Sequence, residues 1–335
     1  MTARPAAAGT TASHRARVVI ARPVAQALAA RRPVVALETT LVTHGLPHPE
    51  GLATALELEG EIAAAGATPA TIGVLDGAAR IGLTHAELER LATGGEAAKL
   101  NLSNLAAGLV SRSPGSTTVA ATLQIAAWAG IETFATGGIG GVHRGSSGDV
   151  SSDLAALARF PVAVVCAGAK AVLDLARTVE ALETLGVPVY GFRTDRFPAF
   201  YRRDSGLPVD RSFDSIEALA LALRAHWGLG ATTGAVVANP IPAEFEMPEA
   251  LYETALERAL ADAAAEAIRG RAVTPFLLDR LRTLTEGRSV FSNLALLRHN
   301  ARVAAELARA LASGGRRRPA PRRPSRPRRG SARRS

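Results

Sequence analysis

The sequence predicts an α/β protein: α/β layers around a largely buried sheet, with a helical C-terminal third packed on it. Three observations carry this. Stretches with helical spacing alternate with short apolar runs rich in β-branched residues. Several runs are apolar at every position, as in strands covered on both faces. From Pro248 to Ala312 the pattern is nearly all helical.

In chain order, residues 1–15 read as a flexible leader and 16–312 as a single α/β domain. Val18 to Arg32 has helical spacing, and "PVVALETT" follows as a strand. "TALELEGEIAAAG" is a helix closed by Gly66, ahead of the strand "ATIGVLDG". "TVAATLQIAAWAG" precedes the strand "IETFATGG" in the same way. The order then inverts: the strand "FPVAVVCAG" enters the helix "AKAVLDLARTVEALETLG", and "VPVYGF" returns as a strand. "SIEALALALRAHWGLG" and "TGAVVANP" form the next pair. Three helical pieces follow, read from Pro-Glu starts and Gly ends.

Composition narrows the class. No run of about 18 apolar residues is present, which argues against a spanning helix, and the N-terminus lacks the apolar centre of a secretory signal. The lone Cys166 excludes an internal disulfide framework and fits a reducing cytoplasm. The net charge is +9, but residues 316–335 carry ten Arg and no acid; subtracting those ten leaves −1 for the rest. Residues 313–335 therefore read as a disordered Arg- and Pro-rich tail. The tail is also the one route to nucleic acid, by electrostatic contact with phosphates.

The most telling residue is Lys170. Of 39 basic residues only Lys99 and Lys170 are lysines. Arginine stays protonated, whereas a desolvated lysine amine can lose its proton and attack a carbonyl. Apolar neighbours in "VVCAGAKAVLD" favour that loss. The plain alternative is a lysine at a helix start that snorkels to solvent. Lys99 shares the scarcity, but Arg could equally hold a phosphate there.

Glu38 ends the apolar strand "PVVALE" and opens a loop containing His44, a place where α/β proteins put active groups. It reads either as a buried acid or as a strand-end carboxylate facing water. "ATGGIGGVHRGSSGDVSSDL" follows another strand and lacks the third Gly of a dinucleotide fingerprint. Its glycines allow close backbone approach to a ligand. Asp149 or Asp153 there is a candidate ligand for Mg²⁺ or Mn²⁺, or else a helix N-cap. "SPGSTTVAAT" sets a Gly-Ser-Thr-Thr turn at a helix start, which either receives an anion or caps its helix.

Eight blocks then carry a resemblance: "ALETTLVTHGLPHPEG", "PATIGVLDG", "FATGGIGGVHRG", "DVSSDL", "CAGAKAVLD", "TDRFPAFYRRDSG", "VVANPIPAEFEM" and "TPFLLDRL…SNLALLRHNA". In this order they resemble the pseudouridine-5′-phosphate glycosidase family, which includes indigoidine-synthase-A-like proteins. The resemblance covers about Val18 to Ala312. It implies reversible cleavage of the C–C glycosidic bond of pseudouridine 5′-phosphate to uracil and ribose 5-phosphate. It further implies a three-layer α/β/α fold with a mixed sheet, and a homotrimer with one Mn²⁺ per subunit, Mg²⁺ being the alternative.

By position, Lys170 matches the family's Schiff-base lysine, Glu38 its proton donor and Asp149 its metal ligand. Ser151, Ser152 and Asp153 match a substrate-binding triplet. Lys99 and Val119 match further substrate contacts, and His143 and Asn293 match pocket members. Two departures are visible: the run from "HRG" to Asp149 is about two residues short, and "KLNLSNLAAG" lacks the family's paired arginines after Lys99. That second departure leaves room for a related lyase of the same fold in specialised metabolism.

Overall fold

The computed structural model describes residues 17–46, 48–93, 97–145, 148–268 and 273–314. The expected leader (1–15) and most of the expected tail, including every one of its arginines, lie outside the described residues.

Strands occur in the order β1 (Arg17–Ile20), β2 (Val34–Leu37), β3 (Thr68–Leu75), β4 (Ala78–Ile81), β5 (Ala98–Leu100), β6 (Gly115–Thr117) and β7 (Thr133–Ala135). They continue with β8 (Val142–His143), β9 (Ala163–Cys166), β10 (Leu173–Asp174), β11 (Val189–Phe192), β12 (Arg211–Phe213) and β13 (Ala235–Ala238). Eleven of them form one sheet, ordered β1-β4-β3-β2-β7-β9-β13-β11-β12, with β6 beside β3 and β5 beside β6. β3 runs antiparallel to β4 and β6; the central run β3-β2-β7-β9-β13-β11 is parallel. The sheet is therefore mixed, as predicted. β2, β7, β9 and β13 are buried at every residue, because their Val, Ala, Leu and Phe side chains are covered on both faces.

Helices cover both faces. On one, the long C-terminal helix Arg288–Ser313 crosses β2, β7 and β9 and packs beside the helices Glu50–Ala64 and Ile216–Gly228. The helix Val119–Ala129 packs on β2 and β3 and against the short helix Ser152–Leu157. Thr118 caps it, and Gly130 ends it at φ 77°, a conformation that costs a glycine no Cβ clash.

Two predicted helices are corrected. The expected helix Val18–Arg32 is split: Arg17–Ile20 pairs with β4 as a strand, and the helix is Arg22–Ala29 with Pro23 in its first turn. Three consecutive β-branched residues favour the strand, and proline suits a helix start. The helix expected to begin beside Lys170 instead begins at Leu175, capped by the Asp174 carboxylate, which accepts from the Arg177 N–H at 3.0 Å. Gly168 and Ala169 form isolated bridges to Ala199 and Ile139, which keep the chain extended before the helix. Lys170 thus sits in a connection braced by backbone pairing, not in a first helical turn.

Candidate active site

Because the central strands are parallel, their carboxyl ends open on one edge, where ligands of open α/β sheets collect. Leu37 of β2 is in register with Ala135 of β7, so Glu38 and Thr136 leave the sheet side by side. The Thr136 hydroxyl donates to Glu38 Oε1 at 2.6 Å, and the Thr40 hydroxyl donates to Oε2. The half-buried carboxylate is thereby held at both oxygens.

β9 lies next to β7, and Lys170 follows it by four residues. The Lys170 N–H donates to Ile139 O at 3.0 Å, which fixes the backbone. Among the described residues its half-buried amine has no hydrogen bond or ion pair. Glu38 and Lys170 line one cavity of about 360 Å³, with Leu41, Leu58, Phe200 and Leu297 among its apolar walls.

Of the ten residues the sequence singled out, nine line this cavity: Glu38, Lys99, His143, Asp149, Ser151, Ser152, Asp153, Lys170 and Asn293. Val119 does not. It is 1% exposed at the start of its helix, and its neighbour Thr118 takes the place on the wall.

Asp153 is the most constrained of the nine. It is 4% exposed; Oδ2 accepts from the Gly140 N–H at 2.8 Å and Oδ1 from the Ala120 N–H at 3.0 Å. It ties the glycine-rich loop to the start of the helix Val119–Ala129. A Cβ on Gly140 would lie 2.2 Å from Ser151 Oγ, so this approach needs glycine. The anion-site reading of "GSTT" is narrowed by the same contacts. Two first-turn N–H groups are already taken, Ala120 by Asp153 and Ala121 by the Thr118 hydroxyl.

Asp149 is paired with His143, Nε2 to Oδ2 at 3.9 Å, and the His143 N–H donates to the Asp149 carbonyl at 2.9 Å. No three His, Cys, Asp or Glu side chains among the described residues come together as a metal-binding group. A tetrahedral zinc centre therefore does not fit these residues, whereas a hard divalent ion that keeps most of its waters and takes one carboxylate does.

Among the polar wall residues that sequence reasoning did not assign are Thr40, His44, Asn101 and Thr136. His44 stands in the π-helical turn Leu41–Gly45. Its Nδ1 lies 2.5 Å from the Thr43 hydroxyl and 3.3 Å from that of Ser116. Burial and the nearby Lys99 cation lower its pKa, so it is neutral at pH 7. Its position after Glu38 was a usable signal. Thr40 and Thr136 offered none, since a threonine at a strand end is ordinary and only the register reveals the contact.

A family model described as "Indigoidine synthase A like protein" matches residues 23–310, and the chain belongs to that family. It is 51% identical over 297 residues to a pseudouridine-5′-phosphate glycosidase of Symbiobacterium thermophilum, covering 87% of this chain and 96% of that one. A protein of the same name from Methylobacterium nodulans is 53% identical, covering 86% of each. Among solved structures, the prealnumycin C-glycosynthase AlnA in complex with ribulose 5-phosphate superposes with a TM-score of 0.82 at 40% identity, covering 88% of this chain and 97% of its own. An indigoidine synthase A-like protein from Thermotoga maritima gives 0.78 at 36% identity, with 84% and 93% covered.

Proposed function

We propose that this chain is a pseudouridine-5′-phosphate glycosidase, cleaving the C–C bond between uracil and the ribose reversibly. The observation that carries the reading is the meeting of Glu38 and Lys170 in one cavity, Glu38 directly after β2 and Lys170 four residues after β9, two parallel strands that flank β7. Relatives of that name at about half identity support it over nearly the whole chain.

An ordinary glycosidase protonates a leaving oxygen, but here the leaving atom is carbon, so another electron sink is required. The Lys170 amine nitrogen bonds to C1′ as the ring oxygen leaves, taking a proton from Glu38. The proton that the newly bonded Lys170 nitrogen gives up returns to Glu38, which delivers it to C5 of the base. The lysine nitrogen lone pair forms C=N as the C1′–C5 bond breaks, and its electrons restore the uracil C5=C6 double bond. Water hydrolyses the imine, returning the amine and giving ribose 5-phosphate. The two threonine hydroxyls on Glu38 keep its carboxyl aimed through both transfers. Asp149 would hold the divalent ion, Mn²⁺ or Mg²⁺, which when bound neutralises charge on the phosphorylated substrate. Lys99, Ser151, Ser152 and Asn293 line the space left for that substrate.

We read the protein as a cytoplasmic homotrimer. No helix among the described residues is long and apolar enough to cross a membrane, and a trimer would cover exposed side chains such as Trp128 and Phe291. A second reading, C-glycoside chemistry in specialised metabolism, is favoured by the likeness to the C-glycosynthase. Uracil release from pseudouridine 5′-phosphate, assayed with and without Mn²⁺, separates the two. Borohydride with ribose 5-phosphate should leave one stable adduct, mapped to Lys170; an adduct elsewhere, or none, overturns the covalent route.

A further inference from the structure

Behind the cavity wall, two buried asparagines that are not assigned to substrate meet. Asn300 is 0% exposed and Asn239 is 1% exposed. Asn300 lies on the C-terminal helix, seven residues or about two turns beyond the wall residue Asn293, so both amides leave the same helix face. Asn239 follows β13, and its N–H donates to the Cys166 carbonyl at 2.9 Å.

The contacts fix how these amides point. Asn300 Nδ2 donates to the Thr136 carbonyl at 2.8 Å and lies 3.4 Å from that of Gly137. Both carbonyls are acceptors only, so the NH₂ end of Asn300 must face them. Its oxygen then faces Asn239, whose Nδ2 donates to it at 2.9 Å. Nothing in this chain can flip without setting two acceptors or two donors against each other.

What the pair holds is the residue that holds Glu38. The Thr136 N–H continues the ladder to Val165 O at 3.1 Å, while its hydroxyl turns toward Glu38 Oε1. Gly137 O also accepts from the Ala167 N–H at 2.9 Å. Asn300 is the described partner of the Thr136 carbonyl. Without it a buried carbonyl is orphaned where the sheet gives out, and the backbone must shift to find a donor.

We propose that Asn300, locked by Asn239, is a positioning residue for Glu38, acting through Thr136. The inference rests on Glu38 being the proton carrier of the reading above. The C-terminal helix then does more than roof the cavity. It sets the aim of the acid while placing Asn293 on the wall two turns away.

The test uses the full chain and uracil release. Asn300→Asp keeps the shape but replaces the donor with an acceptor. It should lower kcat by roughly 10–100-fold, the scale of a displaced catalytic group, with KM changed less than about threefold. Thr136→Val should give a similar loss. The double variant should lose little more than either single one, since the two act in series. Multiplying losses, an unchanged kcat, or a loss confined to KM would overturn the proposal. If Asn300→Asp does not fold, Asn239→Ser releases only the lock. A loss of about 3–10-fold in kcat that disappears in the Thr136→Val background supports the proposal, and no loss overturns it. A wild-type chain that releases no uracil would instead overturn the proposed function, with this hydrogen-bond chain left to be read against the true substrate.

Discussion

In the proposed reaction Lys170 acts as an amine, and that makes the sharpest prediction at the residue scale. Lys170→Arg keeps the positive charge but cannot form an imine, so uracil release should fall by at least about a thousandfold, with a melting temperature close to wild type; surviving turnover would exclude covalent catalysis. Asp153 predicts the opposite balance. Asp153→Asn turns one accepting oxygen into a donor facing either Gly140 or Ala120 N–H, a loss of about 1–3 kcal/mol for a buried orphaned group, seen as a lower denaturation midpoint. Cys166 is a control for burial: its thiol is pushed up to about 12. An unfolded thiol ionises near pH 8.5, so as pH rises past that value the unfolded state gains and stability falls. Native protein at pH 8 should resist alkylation that denatured protein undergoes at once. That Lys170 and Glu38 stand in the cavity was legible in the sequence, because each is a polar group unusual for its apolar setting. Thr136 and Asn300 were not, because their importance lies in which carbonyl or carboxylate they meet across the fold.

Among elements, the sheet strands were legible where every residue is apolar, as in β2, β9 and β13, and poorly so at two- and three-residue strands such as β5, β8 and β10, which carry too few residues to show a period. The helix pair Glu50–Ala64 and Arg288–Ser313 shows how elements are fastened beyond the core. Glu57 pairs with Arg298 at 2.7 Å and Glu61 with Arg302 at 2.5 Å, four residues apart on each helix, so both pairs share one seam. The Arg302 hydrogen bond is the main reason the Glu61 carboxyl titrates below its ordinary value. A carboxyl lowered on folding contributes stability above its unfolded value, and that contribution is lost as pH falls through the folded one. Both side chains are partly exposed, so the pair is worth only about 0.5–1 kcal/mol. Arg302→Ala should therefore lower stability by that amount at pH 7 and by almost nothing at pH 3, measured by urea denaturation. An equal loss at both pH values would assign the effect to packing of the arginine stem instead.

Among the described residues, the helical last third packs on the sheet and supplies part of the cavity wall. The helical pattern from Pro248 onward was plain in the sequence, but its role was not, since nothing local says which face of a helix meets a catalytic strand. Three contacts answer that. Asn293 reaches the cavity, Asn300 holds Thr136, and the Tyr252 hydroxyl donates to the Ala171 carbonyl, next to Lys170, at 2.9 Å. The helix Arg288–Ser313 also buries Leu296, Leu297, Val303, Leu307 and Leu311. At about 1.5–3 kcal/mol for each buried side chain, those five are worth roughly 7–15 kcal/mol. That matches the entire stability of an ordinary domain, about 5–15 kcal/mol. A chain ending at Gly287 should therefore not retain a weakened α/β domain. It should lose cooperative unfolding and near-ultraviolet circular dichroism and bind a hydrophobic dye, because β7 and β9 lose their cover. A truncated chain that still melts cooperatively would show that the sheet is an independent domain and that the helix is only its roof.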